Sequence, residues 1–302
     1  MAEIILHHYD RSPYSEKVRL VFGLKGVRWR SLQIPRWMPK PDLMPLTGGY
    51  RKTPVMQIGA DIFCDTRAIL REIDRRFPSP PLYHPGGGEL LAAWADSALF
   101  TNVVGIVFGT FADNFPAELK ADRIKFTGGL FDAERMKREQ PAIRAQFRAH
   151  ARWIESAFAD GRAFLQGDAP DYADFALYHM LWFVRGNVKE PDFLVDAPAT
   201  KAWLERMAAF GHGRFEPIEV KEALAIAAAA SPEPVRAGEG ADMSGARPGD
   251  SVTVTANDYG RDPVAGELMA IDDHAIIIRR RDREVGELHL HFPRAGFDVK
   301  KS

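Results

Sequence analysis

A strand-to-helix turn near the start of the chain constrains the fold most strongly. The run Ile4–Leu6 is short and apolar and predicts a buried strand. The apolar residues after the turn recur at helical spacing: Val18, Leu20, Val21 and Leu24. Ser12 falls at the N-cap of this predicted helix and Pro13 at its first position, where a missing N–H costs nothing. Such a helix start stabilises an anion, including a thiolate, although Ser12 is also explained as a cap alone.

Composition excludes several classes of protein. The 302 residues are enough for two domains, and 46% hydrophobic with 27% charged residues is typical of a globular protein. The 40 basic and 41 acidic residues give a net charge of −1, which offers no whole-molecule attraction to nucleic acid or to an anionic membrane. Cys64 is the only cysteine, so the sequence excludes an intramolecular disulfide and a cysteine-rich metal site.

The sequence gives no sign of a membrane anchor or a targeting segment. No apolar run approaches the roughly 18 residues of a membrane span, and the N-terminus lacks the pattern of a secretory signal. The arginines at 279–281 and 283 alternate with Asp282 and Glu284, which favours a solvated hairpin over a nucleic-acid site. We therefore expect a cytoplasmic protein with neither a membrane nor a nucleic acid as partner.

The pattern of elements divides the chain into three parts and a linker. Residues 1–83 predict alternating strands and helices, and residues 89–230 are helical almost throughout. Residues 231–249 are rich in Pro, Gly, Ala and Glu, as is typical of a linker. Residues 250–302 predict four or five short antiparallel strands, the size of a small SH3-like barrel. We expect a multidomain fold with an α/β N-terminal domain, an all-α domain and a small all-β module.

Three further motifs follow the first turn in order. Thr53–Pro54 leads into a strand that continues through a tight turn at Gly59–Asp61 into a second strand, which predicts a β-hairpin. Asp65–Thr66 begins a helix, and Asp171 with Asp174 forms a reciprocal capping box before an apolar helix. Together with Ser12–Pro13, these motifs resemble those of the cytosolic glutathione S-transferases, over residues 1 to about 225. The resemblance implies a thioredoxin-like N-terminal domain and a helical substrate domain, and it does not cover the C-terminal module.

The resemblance also implies a site for glutathione, which is an extended and negatively charged tripeptide. A cis bond before Pro54 would turn the Thr53 N–H and C=O outward to pair with the cysteinyl backbone. Asp65 would meet the γ-glutamyl ammonium, while Thr66 and the start of its helix would bind the γ-glutamyl carboxylate.

The glycyl carboxylate needs a cation in such a site. Lys52 is the first candidate and Lys40 the second, although surface lysines are often only solvated. Glutathione would be a co-substrate, and the chemistry needs no metal. His289 and His291 share one face of a predicted strand, which would suit a metal, but two histidines alone do not make a metal site, and we expect none there.

In the family's mechanism, Ser12 would donate a hydrogen bond to the glutathione sulfur. Lowering a thiol pKa from about 8.5 to ~6.5 requires about 2.7 kcal/mol of preference for the thiolate. One hydroxyl bond to an anion, worth ~1.5–3 kcal/mol, together with a helix terminus at ~0.3–1 kcal/mol, supplies that amount.

Other side chains could take this role. Ser15, Tyr9 and Tyr14 are alternative hydroxyl donors, and the spacing favours Ser12. The thiol-transfer branches of the family carry cysteine in place of Ser12, so a mixed disulfide with the protein is not expected. Cys64 is a poor substitute because it lies in an apolar strand.

The predicted function is a glutathione transferase whose bound thiolate attacks a small hydrophobic electrophile, with peroxidase activity as a side reaction. The resemblance also implies a homodimer and a role in detoxification. The alternative is a non-catalytic scaffold of the same fold, whose C-terminal module binds a protein or a ligand. The identity of the electrophile cannot be read from these residues.

Overall fold

The computed structural model describes residues 3–189, 193–235 and 243–302. The chain forms two compact units. The first contains the described residues up to Val18 together with those of Val27–Ile73 and Arg214–Ser302, and the second contains those of Arg19–Gly26 and Asp74–Gly213.

The N-terminal part of the first unit has the predicted strand–helix–strand order. Its elements are β1 (Ile4–His8), α1 (Pro13–Leu24), β2 (Arg28–Gln33), α2 (Met44–Thr47), β3 (Val55–Ile58), β4 (Asp61–Cys64) and α3 (Thr66–Arg76). Strand β1 is buried along its whole length because it lies between a parallel neighbour, β2, and an antiparallel one, β3. The predicted hairpin of β3 and β4 is confirmed, and Gly59 takes the positive φ of 59° that its tight turn requires.

The C-terminal part of the first unit is rich in strands, as predicted. After β5 (Arg214–Pro217) and α11 (Val220–Ala229) come β6 (Ser251–Ala256), β7 (Val264–Ile271), β8 (Ala275–Asp282), β9 (Gly286–Pro293) and β10 (Phe297–Lys301). The ten strands found among the described residues form one sheet in the order β10-β6-β7-β8-β9-β4-β3-β1-β2-β5. The all-β C-terminal region is therefore confirmed, while the SH3-like barrel and the sequence-derived domain boundaries stay predictions.

The C-terminal strands continue the N-terminal sheet through a parallel pairing of β4 with β9. Asp61 on β4 is buried, and its carboxylate accepts a hydrogen bond from His291 Nε2 (2.7 Å) and one from the Glu233 N–H (2.8 Å). One hydrophobic core serves both parts: Ile62 and Cys64 from β4 pack in the same cluster as Leu288 and Leu290 from β9.

The second unit is helical, as predicted. Its helices are α4 (Gly88–Trp94), α5 (Phe100–Thr110), α6 (Ala117–Thr127), α7 (Ala133–Arg138), α8 (Gln140–Ala157), α9 (Tyr172–Asn187) and α10 (Pro198–Ala208). One π-helical turn, Ala95–Leu99, joins α4 to α5. By length and composition alone, the continuous helix Gly88–Thr110 could cross a membrane, but half of its most apolar stretch is buried inside the protein, as in a core helix.

The predicted capping box at the start of α9 is confirmed. The Asp171 side chain accepts the Ala173 N–H (3.0 Å), and the Asp174 side chain accepts the Asp171 N–H (2.9 Å). The buried Asp174 carboxylate also accepts the Leu165 N–H (2.9 Å) and the Trp203 indole N–H (2.8 Å). These bonds tie the start of α9 to the preceding loop and to α10.

Candidate functional site

The segments that carry the predicted site residues meet at one edge of the sheet. The pairing of β1 with β3 ends at His7 opposite Val55, and the pairing of β3 with β4 ends at Val55 opposite Cys64. The chain leaves β1 toward Ser12, enters β3 through Pro54 and leaves β4 into Asp65 at this same edge. The sheet register therefore brings together the three motifs of the N-terminal domain.

Ser12 is the N-cap of α1, as the sequence indicates. Its hydroxyl oxygen accepts the Ser15 N–H (3.2 Å), and its carbonyl accepts the Glu16 N–H (3.0 Å). The residue is 2% exposed. A hydroxyl group has one proton to donate in addition to its acceptor lone pairs. The hydroxyl can therefore cap the helix with its oxygen and still donate its proton to a ligand atom.

The alternative hydroxyls differ in their surroundings. Ser15 Oγ is buried and has no hydrogen-bond partner in the part of the chain that the structure describes. The Tyr14 ring packs under the Lys17 ammonium, 5.1 Å from the ring centre. The carbonyl of Tyr9 accepts the Ser12 N–H (3.1 Å). Ser15 therefore remains an alternative donor one turn along the same helix.

The Thr53–Pro54 bond is cis, as expected. Beside it, the Lys40 ammonium donates to Thr53 Oγ1 (2.8 Å) and to the Arg51 carbonyl (2.9 Å). Lys40 is 4% exposed. These two hydrogen bonds fix the shape of the 51–53 segment, which is a structural task for the second lysine candidate.

Asp65 has a strained backbone at the start of α3. Its φ of 82° is the one positive value found for a non-glycine residue among the described residues. Its carboxylate accepts the Arg67 N–H (2.9 Å), and its carbonyl accepts the Ile69 N–H (3.1 Å). Thr66, the first residue of α3, is buried. Such strain persists where the surroundings impose it, and it concentrates at ligand sites.

Cys64 is unsuited to thiol chemistry in this fold. It lies fully buried at the end of β4. Burial, reinforced by the nearby Asp65 carboxylate, raises the pKa of the Cys64 thiol well above its ordinary value. The side chain therefore stays a neutral thiol, which agrees with the sequence-based expectation.

Lys52 already has a carboxylate partner in this structure. Its ammonium lies 2.5 Å from Asp258 Oδ1 and 4.4 Å from the centre of the Tyr259 ring. Sequence reasoning missed Asp258 and Tyr259. The one available signal, a turn-rich segment with acidic residues at 257–263, does not identify a partner 206 positions away.

The histidines on the strands of the sheet lie close to polar side chains. His7 Nε2 lies 2.9 Å from Gln57 Oε1, and His8 Nε2 lies 2.8 Å from Ser31 Oγ. His291 bonds to Asp61, with His289 Nδ1 4.0 Å from the same oxygen. Over residues 3–189, 193–235 and 243–302, no group of three or more His, Cys, Asp or Glu side chains is placed to hold a metal ion.

Comparisons with known proteins show the family of the chain. The family models for the glutathione S-transferase N-terminal domain and C-terminal domain match residues 6–81 and 133–206. A GST-like protein from Pseudomonas syringae, whose crystal structure is known, is 40% identical, with a TM-score of 0.80 over 100% of both chains. The chain therefore belongs to the glutathione S-transferase family, and the whole of it, C-terminal strands included, has a relative of the same architecture.

Other relatives match a smaller share of the chain. FtsZ-localized protein A from Caulobacter vibrioides is 26% identical over 210 residues, which cover 68% of this chain and 86% of that protein. The structure of FzlA from C. crescentus is 25% identical, with a TM-score of 0.52 over 68% of this chain and 88% of that one. A glutathione S-transferase from Methylobacterium radiotolerans, in complex with glutathione sulfonate, has a TM-score of 0.51 at 20% identity over 72% of this chain and 98% of that chain, which shows the fold alone.

Proposed function

We propose that the protein is a glutathione transferase that holds glutathione at the sheet edge described above and activates its thiol through Ser12. The observation that carries this proposal is the convergence of Ser12, Thr53–Pro54 and Asp65–Thr66 at one edge of the sheet. The positive φ of Asp65 and the position of the buried Ser12 hydroxyl at the start of α1 add to its support.

Each part of glutathione has a matching group in this proposal. The Thr53 backbone pairs with the cysteinyl residue, and Asp65 receives the γ-glutamyl ammonium. Thr66 and the first turn of α3 bind the γ-glutamyl carboxylate. The co-substrate is thereby held in one orientation, with its sulfur toward the first turn of α1.

The chemical step requires only the bound thiolate. The thiol proton leaves to solvent, and the Ser12 O–H and the start of α1 stabilise the negative sulfur. The sulfur then forms a bond to the electrophilic carbon, and the leaving group departs with its electron pair. Ser12 Oγ accepts the Ser15 N–H with a lone pair, so its own proton can be donated to the sulfur.

The test is glutathione conjugation to an aryl halide, followed by product absorbance across pH 5.5–8.5. Removing a hydrogen bond to an anion costs ~1.5–3 kcal/mol, so Ser12→Ala should lower kcat/KM about 10- to 100-fold at the acidic end. The loss should shrink as pH rises, because the thiolate then forms without help. Ser15→Ala is the matched control and should keep the wild-type profile. A loss in Ser15→Ala but not in Ser12→Ala would assign the donor role to Ser15.

The proposal also covers the second substrate, the oligomeric state, the side activity and the cellular role. The electrophile is small and hydrophobic, the working assembly is a homodimer in the cytoplasm, and hydroperoxide reduction by glutathione is a side activity. Detoxification of electrophiles is the corresponding cellular role. The range of accepted aryl halides and hydroperoxides tests the two activities. Sedimentation equilibrium tests the homodimer, and fractionation of cells tests the location.

A second candidate function is a scaffold that binds a protein. The observation that favours it is the similarity to a protein named for its localisation with FtsZ. Binding of purified FtsZ, together with no conjugation of any electrophile and an unshifted glutathione thiol, would support the scaffold over the enzyme. Conjugation without FtsZ binding would support the enzyme.

A further inference from the structure

The loop between β6 and β7 places acidic side chains beside the candidate glutathione site. Asp258 pairs with Lys52 (2.5 Å), and Asp262 pairs with Arg51 Nε (3.2 Å). The two cations are consecutive and directly precede Thr53. The β6–β7 loop of the C-terminal region therefore supplies two carboxylates to the 51–53 segment, which is expected to bind the glycyl end of glutathione.

The Lys52–Asp258 pair resembles the contact that a peptide carboxylate would make. The Lys52 side chain is 13% exposed, whereas the Asp258 side chain is 53% exposed. The Tyr259 ring lies 4.4 Å from the ammonium and holds it by a cation–π contact. Lys52 is thus mostly buried and held by the ring, while the side chain of its anionic partner is more than half exposed. An ion pair with so exposed a member is weak and can be exchanged for another carboxylate.

We propose that Asp258 is a specificity-determining residue, which competes with the terminal carboxylate of the thiol peptide for Lys52. The site then gains little from a free glycyl carboxylate and accepts γ-glutamyl thiol peptides whose C-terminal group is uncharged, as an ester or amide, equally well. This inference rests on the proposed glutathione site and adds the preference at its glycyl end.

Calorimetric titration with two ligands tests the proposal: glutathione, and glutathione ethyl ester blocked at the glycyl carboxylate. The wild-type protein should bind the two within about 2-fold of each other. Asp258→Asn should bind glutathione about 3-fold more tightly, the scale of one exposed ion pair, and leave the ester unchanged. Asp262→Asn is the matched control, since it removes a charge from the same loop but leaves the Lys52 pair intact. It should change the affinities for both ligands equally.

A double-mutant cycle with Lys52→Gln separates competition from a change in folding. In the wild-type background Lys52→Gln should change glutathione affinity by less than about 2-fold, because Asp258 already uses the ammonium. In the Asp258→Asn background it should remove the gain. A melting temperature for each variant shows that the fold is kept.

Three other outcomes decide against the proposal. If glutathione binds the wild-type protein but Asp258→Asn binds it no more tightly, Asp258 is no competitor, and the glutathione site stands. If Asp258→Asn tightens glutathione and ester alike, the effect is not specific to the carboxylate, and the proposal fails. If neither ligand binds any variant, the proposed function fails first, and the inference with it.

Discussion

Replacing Asp174 by alanine should destabilise the protein strongly, because this one buried carboxylate serves three donors. Its Oδ1 accepts the Leu165 N–H (2.9 Å) and the Trp203 indole N–H (2.8 Å), and its Oδ2 accepts the Asp171 N–H (2.9 Å). Asp174 is fully buried, so water does not reach these donors in the native protein. Truncation leaves all three without an acceptor.

The size of the effect follows from those three donors. A buried donor left unsatisfied costs about 1–3 kcal/mol. Three of them would cost roughly 3–9 kcal/mol. We expect a cost in the lower half of this range, because backbone movement and water can partly fill the space that the carboxylate leaves. We expect Asp174→Ala to lower the free energy of unfolding by about 3–5 kcal/mol. Trp203→Phe, which removes only the indole donor, should cost less.

The contribution of Asp174 also depends on pH. Burial raises the pKa of Asp174 from 3.8 to about 6, despite the hydrogen bonds to the carboxylate. Between those values the native protein holds a proton that the unfolded chain has lost, so stability from this group falls as pH rises through that window. The shift corresponds to about 3 kcal/mol. The stability difference between wild-type protein and Asp174→Asn should therefore be about 3 kcal/mol larger at pH 4 than at pH 7.

Guanidinium unfolding followed by far-ultraviolet circular dichroism measures both effects. Asp168→Ala, an exposed aspartate in the same loop, is the control and should change stability by less than about 0.5 kcal/mol. A loss below about 1 kcal/mol for Asp174→Ala would refute the hydrogen-bond argument. A stability difference between wild-type protein and Asp174→Asn that does not vary with pH would refute the titration argument.

Two further predictions concern the core. Burial lowers the pKa of His7 to about 4, so the stability it confers is complete above pH 6.5 and is lost as pH falls through 4. The wild-type advantage over His7→Asn should shrink by about 3 kcal/mol across that window in urea unfolding. A Cβ on Gly23 would lie 2.2 Å from the Gly211 carbonyl oxygen, so Gly23→Ala should cost about 3 kcal/mol, measured by melting temperature. Gly186→Ala is its control, because the added methyl meets nothing within 4 Å and should be neutral or slightly stabilising; an equal loss in both variants would contradict the steric account.

Local patterns allowed much of the fold to be predicted. The strand–turn–helix at Ser12, the β3–β4 hairpin and the Asp171–Asp174 capping box each depend on residues close together in sequence, and each was found. The parallel pairing of β4 with β9 was not predicted. Successive side chains of a strand point to opposite faces of the sheet whatever strand lies beside it, so the patterns of β4 and β9 do not identify each other as partners. The short β5, which pairs with β2, was also not predicted. Its four residues are all exposed and show no alternation of apolar and polar side chains that would indicate a strand.

The candidate site shows the same division between local and distant features. The positions of Ser12 and Asp65 at helix starts follow from the sequence, because caps and turns have local signatures. The carboxylate on Lys52 comes from Asp258, 206 positions away. An ion pair across that separation depends on how the sheet is assembled, which no local pattern encodes. The strained φ of Asp65 also depends on its surroundings, since its residue type alone does not impose it.

The pKa of the glutathione thiol bound to the protein tests the central claim most directly. Titration of thiolate absorbance against pH, with wild-type protein in excess over glutathione, should give a pKa near 6.5, about 2 units below that of the free thiol. Ser12→Ala should raise the bound value by about 1–2 units. A wild-type value still near 8.5, with glutathione shown to be bound, would contradict the assignment of Ser12 as the group that stabilises the thiolate.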